Sequence, residues 1–178
     1  MKLLIVPITD YFKTRKRISL KLILSAIPAL ALLLYALLFD VKPGIDITVV
    51  FSDFVNVQIG AMAILISFSI AIITILVSAD NANIVALKTQ ENANQKIKKL
   101  DGKSLSLYQI LLSNIVYNVY VEIIYLMALI FFVFLQMVIS LNVIKYLTAI
   151  CIFFIVHILH LLLESIAQMY MTFWSNRK

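Results

Sequence analysis

Four long apolar stretches, parted by short polar ones, divide this chain of 178 residues. A membrane-spanning helix needs about 20 apolar residues at about 1.5 Å each. Residues 22–39 form the first such stretch, with Pro28 inside it, and residues 57–78 the second. Residues 105–139 are too long for one span, and their uncharged part begins only after Glu122. Residues 146–174 start after Lys145 and stay helical in pattern as far as Trp174. The expectation is an all-α integral membrane protein with four transmembrane helices, of which the second to fourth extend into the cytoplasm. Residues 1–21 make a basic cytoplasmic arm, 40–56 an external loop and 79–104 a cytoplasmic connector. In the external loop, Lys42-Pro43-Gly44 signals a turn, and the β-branched "IDITVVF" after it predicts a short extended or interfacial segment.

Polar residues interrupt these stretches at helical intervals. In "HILHLLLESIAQ", His157, His160, Glu164 and Gln168 follow spacings of three, four and four, which keeps them on one side of a helix. The third stretch repeats the pattern with Asn114, Asn118, Glu122 and Tyr125. Counted inward from Lys145, His157 lies about 18 Å down and Glu164 about 28 Å. Counted from Ser140, Glu122 lies about 27 Å down, so the two glutamates are expected at similar depth near the inner edge. A weaker stripe of small residues, Ser67, Ala71, Thr74 and Ser78, runs along the second span and is of the kind that lets helices approach closely.

Charge sets the expected orientation. Of the 15 Lys and Arg residues, all but Lys42 and Lys145 fall in the arm, the connector or the tail. By the positive-inside rule both termini are cytoplasmic, and the setting that fits is a bacterial cytoplasmic membrane. The apolar run continues through Leu38, past the small residues Ala29-Leu30-Ala31, and this predicts an anchor rather than a cleaved signal. Lys13, Arg15, Lys16 and Arg17 in the arm, with Lys96, Lys98 and Lys99 in the connector, are candidate contacts for anionic lipid headgroups or for an anionic regulator. Asp46 and Asp53 are candidates for an acidic ring at an outer mouth, though exposed acids are more often plain solvated surface.

Composition removes most other functions. Hydrophobic residues make up 63% of the chain and charged residues 13%, against about 25% charged in soluble domains. Cys151 stands alone in an apolar run, so no disulfide framework or cysteine-rich metal site is expected. The sequence carries no P-loop, GxSxG, HExxH or dinucleotide fingerprint, and neither an enzyme nor a bound cofactor is expected.

Several readings of the polar stripe stay open. His157, His160 and Glu164, with Glu122 as a fourth, resemble a metal set, but di-metal bundles want Glu-x-x-His on two helices, and no metal is assigned. A small proton or metal transporter usually shows internal repeats and broken helices, which are missing. Hydrogen-bonded glue between helices, in a non-conducting scaffold or accessory subunit, is one remaining reading. The other, which the sequence favours, is a homo-oligomeric channel with the stripes of several copies facing a shared path.

In length, four crossings, the basic arm "YFKTRKRISLK" and the polar connector "ADNANIVALKTQENANQKIKKL", the chain resembles the four-helix channel-forming effectors of Hailong-type bacterial anti-phage systems. That resemblance implies an oligomeric channel held shut by a cytoplasmic nucleotide or oligonucleotide signal, whose opening collapses the membrane potential.

Overall fold

The computed structural model describes residues 2–15, 17–39, 44–78, 82–89 and 105–175. Among them the secondary structure is all-helical: α1 (Lys2–Thr14), α2 (Ile18–Leu38), α3 (Ile47–Ser78), α4 (Ala82–Thr89), α5 (Leu107–Leu135) and α6 (Leu141–Ser175). Four of them, α2, α3, α5 and α6, are long and apolar enough to cross a membrane, which makes this a multi-pass membrane protein.

The four spans form a row in the order α2, α6, α5, α3, with α3 also touching α6. Each helix runs antiparallel to its neighbour, as paired contacts show: Ser25 with His157 and Lys21 with Glu164, Tyr125 with Phe154 and Asn114 with Gln168, Ser69 with Glu122 and Leu76 with Tyr108. Inside the row, α5 meets α3 on one side and α6 on the other, while α1 and α4 pack on its N-terminal half. This position explains why α5 buries so many residues, from Ile110 to Phe132, whereas α2 buries only Ser25 and Ala29. Small side chains at the α2 contact let its backbone approach α6 closely. Most of the remaining surface of the spans is Leu, Ile, Val and Phe that stay exposed, as lipid-facing positions must.

The main core joins Tyr117, Val121, Tyr125, Leu129 and Phe132 of α5 to Phe51, Val55 and Met62 of α3 and to Ile144, Leu147, Cys151, Ile158 and Leu161 of α6. A second, smaller cluster sits at the other end of α3, where Leu76, Ile84 and Leu87 pack on Leu111 and Ile115. Tyr108 ties this end together by donating its hydroxyl to the Leu76 carbonyl at 3.3 Å.

Local chemistry sets the helix ends. α5 opens with a capping box: the Gln109 amide donates to Ser106 Oγ at 3.2 Å, and the Ser106 amide donates to Gln109 Oε1 at 3.0 Å. The turn between α5 and α6 is short, and the Ser140 carbonyl accepts the Val143 amide at 3.0 Å. Gly44 has φ +91°, a left-handed conformation that a Cβ would strain. It thus sits in the turn expected near Lys42-Pro43, two residues outside the described set.

Several expected boundaries change. Within "IDITVVF", Ile47 to Phe51 form the first turn of α3 rather than an extended segment, so the loop expected to reach residue 56 ends before Ile47. Phe51 and Val55, one helical turn apart, are almost fully buried in the main core, and this packing outweighs the β preference of Ile, Thr and Val. Asp46 adds a start signal, accepting the Thr48 amide at 2.9 Å and the Thr48 hydroxyl at 2.5 Å. Residues 2–14 of the arm are helical, and α2 begins at Ile18. Within the connector, 82–89 form α4.

The Thr48 contacts, side chain first and backbone second, hold the Asp46 carboxyl below the usual carboxylate range. A depressed pKa contributes stability that is present above the unfolded value and lost as pH falls through the folded one. Hydrogen exchange at the amides of Thr48 to Val50 is therefore expected to accelerate below that folded value. Asp46→Asn, measured by the same exchange experiment, should remove the pH dependence.

Candidate functional site

The polar residues gather inside the single chain, in two groups on different sides of α5. The first joins four helices at the end where α1 packs. Tyr11 of α1 stacks on Tyr117 with ring centroids 3.9 Å apart, and Phe12 meets the same ring edge-on at 5.7 Å. This stacking seats the C-terminal turn of α1 and carries Arg15 against α5. The Arg15 guanidinium donates to Asn114 Oδ1 and lies 3.4 Å from the Ile110 carbonyl. Asn114 in turn donates to Gln168 Oε1 at 2.7 Å, and Gln168 donates to Glu164 Oε1 at 3.3 Å. Glu164 Oε2 is paired with Lys21, whose ammonium also reaches the Tyr11 hydroxyl at 3.3 Å. A chain of polar contacts thus runs from α1 through α5 and α6 to α2.

Burial shapes the chemistry of this group. Arg15 is only 9% exposed. Burial lowers its pKa while Glu164 and Tyr11 oppose that change, and the guanidinium stays charged at neutral pH. Burial, then the Glu164 carboxylate, pushes the Tyr11 hydroxyl well above the usual phenol range, so Tyr11 remains a neutral hydroxyl that can take a hydrogen bond from Lys21. Deeper along the same seam, His157 Nδ1 stands 3.5 Å from Ser25 Oγ. The imidazole lies parallel to Phe153 at 5.9 Å and edge-on to Tyr117 at 6.4 Å.

The second group faces α3. Glu122 Oε1 accepts Asn118 Nδ2 at 2.8 Å and lies 3.4 Å from the Ser69 hydroxyl. Five buried oxygens of α5 or its C-terminal cap residue lack a hydrogen-bond partner among the described residues: Ser113 Oγ, Asn118 Oδ1, Glu122 Oε2, the Tyr125 hydroxyl and Gln136 Oε1.

The expected single stripe on α5 is therefore divided. Asn114 turns to Arg15 and Gln168, while Asn118 and Glu122 turn to Ser69. The two glutamates, expected at one depth, belong to different groups. Asn114, Asn118, Glu122 and His157 are buried within the chain, and His160, Glu164 and Gln168 are half-buried. Among the described residues no three of His, Cys, Asp and Glu gather where a metal ion would be held. Asp46 and Asp53 are both exposed, the first at the start of α3 and the second within it.

Arg15 departs from the expected role of surface contact, because Asn114 and the Ile110 carbonyl offer its guanidinium acceptors that a run of exposed basic residues would not have. Lys13 and Arg17 are exposed. Lys16, Lys96, Lys98 and Lys99 lie outside the described residues. The small-residue stripe on α3 also departs from expectation. Ser67, Ala71, Thr74 and Ser78 are exposed, and the three hydroxyls bond to carbonyls of their own helix. The buried small residue of α3 is Ser69, on another face.

Sequence reasoning passed over Tyr11, Ser25 and Ser69, and read Lys21 only as part of the basic stretch before the first span. Lys21 and Ser25 carried a faint signal, being one turn apart at the mouth of an apolar run. Ser69 was hidden among three other Ser and Thr residues of the same span, Ser67, Thr74 and Ser78. No protein-family model, curated protein or solved structure matches the chain.

Proposed function

We propose that the protein is an oligomeric membrane channel or membrane-permeabilising effector, gated from the cytoplasm, in a bacterial cytoplasmic membrane with both termini inside. In this reading the overlong spans α3, α5 and α6 project into the cytoplasm at the end where α1 and α4 pack. The observation that carries the reading is the docking of Arg15 and Lys21 onto Asn114 and Glu164. Ionisable and amide groups in hydrocarbon are expensive and mark pathways by default. Here two cations from the N-terminal segments close one end of such a seam. Detaching α1 uncovers Asn114, Gln168 and Glu164 together, which admits water from that end.

The exposed apolar faces of α2 and α3 leave room for neighbouring copies. An anionic cytoplasmic ligand, a nucleotide or oligonucleotide, competes with Asn114 and Glu164 for the cations and so opens the seam, the reverse of the shut-holding signal that the Hailong-type resemblance implies. Collapse of the membrane potential in anti-phage defence is the matching biological role.

The test is potassium flux from liposomes holding the purified protein. Wild type is expected to be nearly tight alone and to leak on addition of the right anionic ligand. Glu164→Gln, which frees Lys21, is expected to raise unliganded flux by roughly tenfold, the equivalent of about 1.4 kcal/mol in the closed-to-open balance. Vesicles that stay tight for wild type, Glu122→Gln and Glu164→Gln, with and without nucleotides, reject the channel. They favour the second reading, a non-conducting scaffold. The observation behind that reading is that Asn114, Gln168 and Glu164 bond to one another across α5 and α6 within one protomer, which suffices to fix helix register.

A further inference from the structure

Glu122 stands apart from the gating group. It is 0% exposed, at the contact of α3 and α5, and Asn118 beside it is 2% exposed. Both donors that reach the carboxyl, Asn118 Nδ2 and Ser69 Oγ, converge on Oε1, and Oε2 meets no donor among the described residues. The amide shows the complementary lack, since Asn118 Oδ1 has no partner either.

Among the described residues no neighbouring element supplies a compensating charge. On α3 the sequence holds no charged residue between Asp53 and the helix end at Ser78. On α6, His157 adjoins Tyr117 and Cys151 adjoins Tyr125. On α1, Arg15 is taken by Asn114 and Tyr11 by Tyr117 and Lys21. On α4, Lys88 lies over the Tyr108 ring. The ion pair seen among the described residues is Lys21 with Glu164.

A carboxylate with no cation and one bare oxygen is among the costliest groups to hold in hydrocarbon, and such groups neutralise instead. The 2.8 Å contact serves the neutral acid as well as the anion. Rotating the Asn118 amide by half a turn about its last bond brings Oδ1 to face Oε1, where a protonated carboxyl donates its O–H. Asn118 Oδ1 then accepts that O–H, and Nδ2 in exchange gives up Glu122 Oε1. The exchange of amide oxygen and nitrogen costs no movement of the backbone, because the two atoms are nearly the same size.

We propose that Glu122 is a proton-binding site between α3 and α5, where Asn118 and Ser69 hold the neutral carboxyl and loss of its proton drives the two helices apart. The proton passes to water that enters the seam, and the anion left behind needs that water for solvation. The bundle therefore carries a second, pH-operated control, separate from the docking of α1 and independent of whether the protein conducts.

Infrared difference spectroscopy of the full-length protein in lipid vesicles tests this, because a protonated carboxylic acid gives a carbonyl band clear of amide and carboxylate absorption. At neutral pH wild type should show such a band, absent from Glu122→Gln and retained in Glu164→Gln. The band should disappear on alkaline titration, with faster hydrogen exchange along α3 and α5 in wild type but not in Glu122→Gln. Ser69→Ala should keep the band and move its titration. The absence of any wild-type band that Glu122→Gln removes at neutral pH overturns the proposal. A band whose loss follows sodium or potassium concentration at fixed pH also overturns it, in favour of an alkali-cation site.

Discussion

Arg15→Ala is expected to release α1 from the bundle. The buried guanidinium makes two contacts to α5, one with Asn114 and one with the Ile110 carbonyl. A hydrogen bond from a charged group contributes about 1.5–3 kcal/mol. Taking about 2 kcal/mol as the net effect, the docked-to-free ratio falls roughly thirtyfold. Amides of α1 should exchange faster by a similar factor, while those at the centre of α5 change little. Arg17→Ala, on an exposed neighbour, is the control and should leave exchange unaltered. Arg15→Lys should rescue only part of the loss, because an ammonium cannot reproduce the fork that reaches the side-chain and main-chain acceptors together. Unchanged exchange in Arg15→Ala would show that the Tyr11–Tyr117 stack alone holds the arm.

The Lys21–Glu164 pair should behave as a coupled unit. Each side chain is about one-fifth exposed, at 20% and 23%, so neither is fully screened by water nor fully desolvated. Lys21→Met leaves Glu164 with only the Gln168 amide, and Glu164→Leu leaves Lys21 with only the Tyr11 hydroxyl. Each single substitution is expected to cost about 2 kcal/mol, less than the 3–5 kcal/mol of breaking a fully buried pair. The double variant should recover most of this, giving a coupling energy of about 1–2 kcal/mol in a thermal or denaturant cycle. Additive losses would mean that the two charges act separately.

The four spans were legible because an uninterrupted apolar run of membrane length has few other uses. The polar residues were legible for the same reason, each being costly where it stands. Their partners were not, because partners depend on which helices become neighbours. α5 lies between α3 and α6, so a stripe read as one face serves two interfaces, and Asn114 parts company with Asn118. Arg15 illustrates the limit most clearly. In "KTRKR" every cation looks alike, and only the stacking of Tyr11 on a tyrosine more than a hundred residues later turns one of them inward. "IDITVVF" failed in the opposite way, since local preference gave a short extended or interfacial segment and the distant packing of Phe51 and Val55 gave a helix.

The unequal lengths of the spans have a mechanical side. α3, α5 and α6 contain 32, 29 and 35 residues, but α2 contains only 21. From Leu22 to Leu38 α2 rises about 26 Å, slightly less than a typical hydrocarbon thickness of about 30 Å. The long helices absorb a change in bilayer thickness by tilting, whereas α2 has no length in reserve. Thickening the membrane therefore pulls first on α2, and it pulls at Lys21, where that helix holds Glu164. Lipid chain length acts on the same ion pair that fastens the N-terminal segments, which makes the bilayer itself a load on the latch.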